Sequence, residues 1–283
     1  MNYFILNPIS GSNNLNLRKA LLGLIASNSE NIILETTKAK HAIELTQKAI
    51  QAGATKIIAV GGDGTINEVA SVLTNTEIPL GIIPLGSGNG LARHLSIPMQ
   101  VEKAYHLALN GHPIRMDVGS INGKRFFCTA GVGFDATVAN AFAKGEKRGL
   151  VNYITATLTS LIRYKPIQVS INEGPWEEVF SLTIANANQF GNNAYISPFS
   201  NIQDGTLEMV KIKKMNWLQA AIVSMRLFFK SIHNSPLVEI VDVKEVKITY
   251  KSKANLHMDG EALQTTEPDL IVTVEASSLN VIV

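Results

Sequence analysis

The residues best suited to chemistry lie in one run, Gly61-Gly62-Asp63-Gly64-Thr65-Ile66-Asn67-Glu68. Three glycines within four positions let a backbone turn tightly and approach a ligand closely. Asp63 is the acid inside the turn. Such a carboxylate either holds Mg²⁺ at phosphate oxygens or fixes the loop through hydrogen bonds. Thr65 and Glu68 have the spacing of a capping box, so a helix is expected to start there. Its free N–H groups and positive dipole end would face the loop, which suits phosphate. The competing reading is a tight strand–helix turn in which Asp63 caps the helix. Analogy with other glycine-rich loops favours phosphate.

Two further turns share this character, Asn7-Pro8-Ile9-Ser10-Gly11 and Gly86-Ser87-Gly88-Asn89-Gly90. No G-x-x-x-x-G-K-[ST] run occurs, so the site is not of the Walker A type. Gly131-Val132-Gly133-Phe134-Asp135-Ala136 has the dinucleotide form, but no acid follows about 20 residues on to bind a ribose, and we read it as structural. Asp259-Gly260-Glu261 reads, taken alone, as a turn between strands. The six histidines show no metal-ligand spacing. His41, His94 and His106 read as ordinary helix positions, and His257 as the histidine nearest that turn. Ser87 lacks a neighbouring histidine and no G-x-S-x-G occurs, so a hydrolase triad is unsupported.

These turns need elements to hold them. Tyr3–Leu6, Ile32–Leu34, Lys56–Val60 and Leu80–Ile83 are short apolar runs, and helical spacing over Leu15–Ala26, His41–Gln51 and Ile66–Leu73 separates them. That alternation predicts a parallel sheet wrapped by helices. Ligands bind beyond the carboxyl ends of strands in such a sheet, so the three turns would share one edge. From about Asp117 strands dominate, several with period-two alternation, interrupted by helical stretches at Leu150–Tyr164 and Trp217–Ser231. The expected organisation is an α/β domain over residues 1–117 and a β-rich domain over 118–275.

Composition sets the outer bounds. The 283 residues are 46% hydrophobic and 17% charged, with a mean hydropathy of +0.13, enough apolar material for a sizeable core. A net charge of +2 argues against a dedicated nucleic-acid binder. The single cysteine, Cys128, excludes an internal disulfide framework and a cysteine zinc cluster, and its apolar strand marks it as a core residue. No signal peptide and no transmembrane helix are expected, because no apolar run is long enough. The expected location is cytoplasmic, with peripheral contact at the inner face of a membrane.

Four motifs occur in order: Asn7-Pro8-x-Ser10-Gly11, Gly61-Gly62-Asp63-Gly64-Thr65-x-Asn67-Glu68, Pro84-Leu85-Gly86-Ser87-Gly88-Asn89 and Asp259-Gly260-Glu261. Together they resemble the diacylglycerol kinase catalytic-domain family, which includes bacterial lipid kinases and sphingosine and ceramide kinases. NAD kinases share the glycine motif, whereas the first turn and Asp259-Gly260-Glu261 favour the lipid kinases. The resemblance implies an N-terminal domain like those of NAD kinases and phosphofructokinases, a C-terminal β-sandwich domain for the lipid substrate, and a final tail, 276–283, that returns to the first domain. It implies ATP contacts at Asn7, Pro8, Ser10, Gly11, Thr36, Gly61, Gly62, Asp63, Gly64, Thr65, Asn67 and Ser87, with Asp63 essential for Mg-ATP. It implies Mg²⁺ ligation by Asp204, completed by the carbonyls of Asn201 and Thr206, with Asp117 near the metal network. Glu261 is implied as the general base. A carboxylate suits that task, since it can take the hydroxyl proton as the oxygen attacks.

The implied activity is transfer of the γ-phosphate of ATP to a lipid hydroxyl, most simply that of diacylglycerol or a related lipid. The alternatives are an NAD kinase-like phosphotransferase acting on a soluble dinucleotide, and a nucleotide- or lipid-binding regulator without catalysis. Two departures from the family pattern stand out. Gly90 occupies a position where many bacterial members carry an acid, and Ser12 follows Gly11 where a lysine is frequent, leaving Lys40 or Arg93 to supply that charge. A lipid kinase must also reach its bilayer. The basic and aromatic segment Lys211–His233, and the Lys144–Arg148 charges followed by Leu150–Tyr164, are the candidate contacts.

Overall fold

The apolar runs of the first hundred residues become strands buried on both faces. In the computed structural model, which describes residues 1–10, 15–144, 157, 159–161, 164–251, 255–263 and 267–283, β1 (Asn2–Leu6), β3 (Lys56–Gly61) and β4 (Leu80–Pro84) are buried almost end to end. A parallel sheet covered by helices requires this and leaves no alternation to read. β2 (Asn31–Glu35) lies at the sheet edge and is only partly covered.

The chain divides into two compact units, Met1–Met116 with Ser277–Val283, and Asp117–Ala276. In the first, β2, β1, β3 and β4 lie side by side, all parallel. The end of the last strand, β15 (Asp269–Ile282), joins beside β4, with Val281 opposite Leu80 and also parallel. The helices are α1 (Leu15–Ala26), α2 (His41–Gln51), α3 (Asp63–Leu73), the short α4 (Gly90–His94) and α5 (Val101–Asn110). α3 packs on β3 and β4, and α5 packs on β4. Tyr105 of α5 stacks on Phe4 of β1 and donates its hydroxyl to the Leu24 carbonyl of α1.

The chain leaves the first unit within β5 (Pro113–Ile121) and returns within β15. The second unit holds β6 (Lys124–Phe126), β7 (Thr129–Gly133), β8 (Ile167–Ile171), β9 (Glu177–Ala185), β10 (Leu207–Lys213), β11 (Val238–Val243), β12 (Glu245–Tyr250), β13 (Leu256–Met258) and β14 (Glu261–Leu263). The described pairings among them are antiparallel. α6 (Phe134–Lys144) packs on β7, β13 and β14. α7 (Trp217–Phe228) packs over a second apolar cluster that includes Phe180, Val210 and Ile212.

A bulge separates the two cores of this unit. Ile212 faces Ser181 but Lys213 faces Val179, so Phe180 is the extra residue on β9. It therefore turns toward the α7 side, while Val179, Leu182 and Ile184 all enter the larger core. The α/β class with a β-sandwich-like second half agrees with the sequence expectation. The expected helix at Leu150–Tyr164 lies largely outside the described residues, as do the charges from Gly145 to Arg148.

Candidate functional site

In the first unit the four parallel strands end at one edge, and the turns after β1, β3 and β4 meet there through named bonds. The Asn7 amide donates to the Thr65 hydroxyl at 3.2 Å, and the Asn7 Oδ1 accepts from the Ile9 N–H, closing the first turn on itself. Leu85 N–H donates to the Gly61 carbonyl at 2.7 Å, which joins the second turn to the third. Thr36 follows β2 at the same edge, buried, with its N–H on the Leu6 carbonyl. Gly11 and Ser12 lie outside the described residues.

The glycines are there for lack of room. A Cβ on Gly61 would lie 2.7 Å from the Thr65 side chain. One on Gly86 would lie 2.7 Å from both Gly62 Cα and Asn89 Oδ1. Any side chain at Gly86 would force the second and third turns apart.

The expected helix start needs correction. α3 begins at Asp63 and not after Thr65, with Gly62, which has no side chain to cap with, as its N-cap. Glu68 does not close a capping box with Thr65. Its carboxylate reaches the neighbouring helix and accepts from the N–H groups of Lys40 at 2.9 Å and Ala42 at 3.0 Å. Glu68 thus caps α2, whose own N-cap residue, Lys40, has a left-handed backbone and offers no side-chain cap. The N-cap residue of α3 thus supplies no side-chain cap, and a helix N-terminus of this kind attracts an anion.

Asp63 stands at this helix end, and its carboxylate spans to the third turn. Oδ2 accepts from Asn89 N–H at 2.9 Å and Oδ1 from Gly90 N–H at 2.8 Å. Burial pushes its carboxyl above the ordinary range, opposed by the N–H groups of Gly90, Asn89 and Asp63 itself and by the Arg93 charge. Asp63 therefore fixes the loop by hydrogen bonds, one of the two roles its position suggested. Gly90 contributes an N–H to Asp63 where an acid was looked for. Arg93 donates Nε to the Gly88 carbonyl at 3.0 Å and braces the third turn. Lys40 is exposed at the start of α2. Ser87 is exposed, Pro8, Ser10, Gly62, Gly64 and Asn67 are half-buried, and Thr65 is buried.

The second unit holds the remaining candidates in two places. Asp259 and Gly260 form the two-residue turn between β13 and β14, both with positive φ, as a tight hairpin requires. The Asp259 carboxylate accepts three consecutive backbone N–H groups, from Phe127 at 2.8 Å, Cys128 at 2.6 Å and Thr129 at 3.0 Å. It locks the turn, and Glu261 follows as the exposed first residue of β14. The other place is the turn at 201–206. Asp117, fully buried, accepts from Gly205 N–H at 2.7 Å, and Asp204 accepts from both the N–H and the hydroxyl of Thr206. The side chain of Asn201 accepts from Gln203 N–H.

Two carboxylates thus bear on one short turn, and oxygen donors of this kind suit Mg²⁺. Among the described residues no group of three or more His, Cys, Asp or Glu side chains could hold a metal, so the carbonyls of Asn201 and Thr206 would have to complete such a site. Sequence reasoning missed Asn186. Buried, it donates to the carbonyls of both Asp117 and Phe127, tying the Asp117 corner to the strand that Asp259 grips. A lone asparagine at a strand end carries no signal of that role.

The dinucleotide-like glycines prove structural. A Cβ on Gly131 would meet the Leu182 carbonyl at 2.6 Å, and one on Gly133 would meet the Phe180 carbonyl at 2.8 Å. They let β9 lie close and seat Asp135, whose Oδ2 accepts from the Thr183 hydroxyl at 2.6 Å and contacts His257 Nε2 at 3.0 Å. His257 is 2% exposed, within the core. Tyr164 donates to the Phe180 carbonyl, and burial, with the Asp135 charge added, drives its pKa upward. Cys128 is buried and forms no disulfide, as expected of a core residue, but it lies in the bend between β6 and β7 and not within a strand.

Comparison with known proteins adds the family. Residues 2–121 match the diacylglycerol kinase catalytic domain, and residues 128–283 match the YegS C-terminal NAD kinase beta sandwich-like domain. A Chromohalobacter salexigens protein named "Probable lipid kinase YegS-like" is 31% identical over 77% of this chain and 73% of its own. A Yersinia pestis (strain Pestoides F) protein of the same name is 29% identical over 77% of this chain and 75% of its own. A crystal structure from Bacillus anthracis strain Sterne, described as that of a candidate diacylglycerol kinase, superposes with a TM-score of 0.81. It covers 99% of this chain and 94% of its own at 23% identity, and shares the fold.

Proposed function

Since the chain belongs to the diacylglycerol kinase catalytic-domain family of lipid kinase-like proteins, we propose that it transfers the γ-phosphate of ATP to the hydroxyl of a membrane lipid, diacylglycerol or a close relative. The observation that carries this reading is the interlocked loop edge of the first unit. There a helix start with a glycine N-cap, two close-packed glycine turns and the Asp63 bridge surround backbone donors fit for phosphate. Asn7, Pro8, Ser10, Gly11, Thr36, Gly61, Gly62, Gly64, Thr65, Asn67 and Ser87 are the proposed ATP contacts. Asp63 keeps the second and third turns in register for it. Asp204, the Asn201 and Thr206 carbonyls and Asp117 are the proposed Mg²⁺ residues. When bound, Mg²⁺ would supply positive charge.

In the reaction the lipid oxygen forms a bond to the γ-phosphorus, the bond to the β–γ bridging oxygen breaks, and ADP leaves. Glu261 is the proposed base and takes the hydroxyl proton. Its exposure supports that role, since a carboxylate open to solvent can receive a proton from an incoming acceptor. Phosphoryl transfer asks little else of a protein than positioning and charge stabilisation.

The test is transfer of labelled γ-phosphate from Mg-ATP to a lipid extract in mixed micelles and, separately, to NAD. A labelled lipid is expected, with Glu261→Gln lowering turnover about 10²–10⁴-fold while ATP still binds. Labelled NADP, or ATP binding without any product, would overturn the lipid kinase reading. Near-normal turnover in the variant would overturn the base.

A further inference from the structure

Helix α7 turns its apolar side outward. Ala220 and Val223 pack inward on the sheet, while Trp217 at 74%, Leu218, Ile222, Met225 at 61%, Phe228 and, just beyond, Phe229 at 73% are exposed. At 3.6 residues per turn these six lie within an arc of about 140°. The helix is therefore apolar on both sides, and such a helix is normally covered on both. Its start is fixed by a reciprocal cap between Asn216 and Gln219, so the outward face is presented by an ordered element.

The charges carried by this stretch of chain have one sign. No Asp or Glu occurs between Glu208 and Glu239, a stretch that carries Lys211, Lys213, Lys214, Arg226 and Lys230. Lys211 is held by Glu177 and Glu239, and Lys214 by Glu178. Lys213 is exposed before the helix. Lys230 follows it, with its ammonium 4.4 Å from the Tyr195 ring centre. Beyond the helix, Phe199 is 77% exposed, with its ring centre 4.9 Å from that of His233.

We propose that this face is the membrane-docking surface of the protein, and that α7 lies flat in the interface of an anionic bilayer. The inference rests on the lipid kinase reading for its purpose but on α7 alone for its geometry. Twelve helical residues span about 18 Å, too short to cross a bilayer but sufficient to lie along one. The aromatic rings at both ends suit the headgroup boundary, and Lys213 and Lys230 suit anionic headgroups. A second copy is a poorer occupant. Two-fold antiparallel pairing of α7 would set Lys213 of each copy near Lys230 of the other, with no acid on the segment to offset them.

The experiment is flotation of the full chain with phosphatidylcholine vesicles, with and without one third phosphatidylglycerol. Emission of Trp217 is followed in a Trp176→Phe background. Wild type is expected to float with the anionic vesicles, with a blue shift, and to be released by salt. The combined variant Leu218→Gln, Ile222→Gln and Met225→Gln changes only exposed positions and is expected to bind at least tenfold more weakly with an unchanged melting curve. Lys213→Glu with Lys230→Glu is expected to lose about 25-fold per lysine on anionic vesicles, since each reversal removes one attracted charge and adds one that is repelled. Wild-type-like flotation of the glutamine variant overturns the proposal, as does a wild-type dimer that the same variant dissociates without any vesicle binding. Phosphorylation of a short-chain diacylglycerol in free solution separates the two readings. If docking is lost in the variant and this activity is kept, both stand. If wild type docks but phosphorylates no acceptor, docking stands and the kinase reading falls.

Discussion

Replacing Asp259 tests how the turn before Glu261 is held. Its Oδ1 accepts from Cys128 and Thr129, and its Oδ2 from Phe127. Hydrogen bonds to a charged group contribute about 1.5–3 kcal/mol each. Three bonds to one carboxylate are not independent, so Asp259→Ala is expected to cost about 3–5 kcal/mol rather than the full sum. Alanine at a φ of +50° adds about 1 kcal/mol. Asp259→Asn retains an acceptor at the Oδ1 position and tolerates the left-handed backbone. It loses the Phe127 bond and sets two donors against each other there, for about 1–2 kcal/mol. The assay is urea unfolding of both variants, with hydrogen exchange at the amides of 127–129. Exchange should rise at all three amides in the alanine variant and mainly at Phe127 in the asparagine variant. An alanine variant with wild-type midpoint and unchanged protection would refute the reasoning.

Other perturbations follow from the same geometry. Gly86→Ala should cost about 1–3 kcal/mol and weaken ATP binding by separating two loops, measured by urea midpoint and calorimetry. Wild-type values in both would contradict the close packing. Glu68→Ala should cost about 1–2 kcal/mol through loss of the cap on α2, with faster exchange confined to the amides near Lys40 and Ala42. Glu208, buried, has its carboxyl pushed up to about 7 from 4.5 by burial, with the Asp204 and Asp242 charges adding to the shift. It binds more protons folded than unfolded, so its contribution to stability falls as pH rises from about 4.5 to about 7. At 1.36 kcal/mol per unit that is about 3 kcal/mol at most. In buffer with chelator, Glu208→Gln should remove that part of the slope, and an unchanged slope would show Glu208 to be well solvated.

The first unit was legible because a parallel sheet writes itself as apolar runs, each followed by a turn. The reading failed where a partner was distant in sequence. Glu68 has the spacing of a local cap, but its partners lie on α2, and nothing in the residues between reveals this. In the second unit α6 was missed, since Gly131 and Gly133 drew attention to a fingerprint while Phe134–Lys144 formed a helix. The extra residue at Phe180 broke the period-two pattern of β9. Among the candidate site residues, the glycine turns and Asp63 were legible as one edge because their strands are parallel. The bracing by Asn186 was not, because a buried amide that bonds only to carbonyls leaves no pattern along the chain.

The last strand also governs the order in which the protein can be made. Val281 is the parallel partner of Leu80, so β4 has no neighbour on that side until residues near 281 emerge from the ribosome. During synthesis of all 160 residues from Asp117 to Ala276, the first unit waits with an open, apolar strand edge. An open edge of this kind is prone to pair with another chain. A stop codon that removes only the final seven residues would leave that edge open permanently, so a hazard that is transient in the full chain would become lasting.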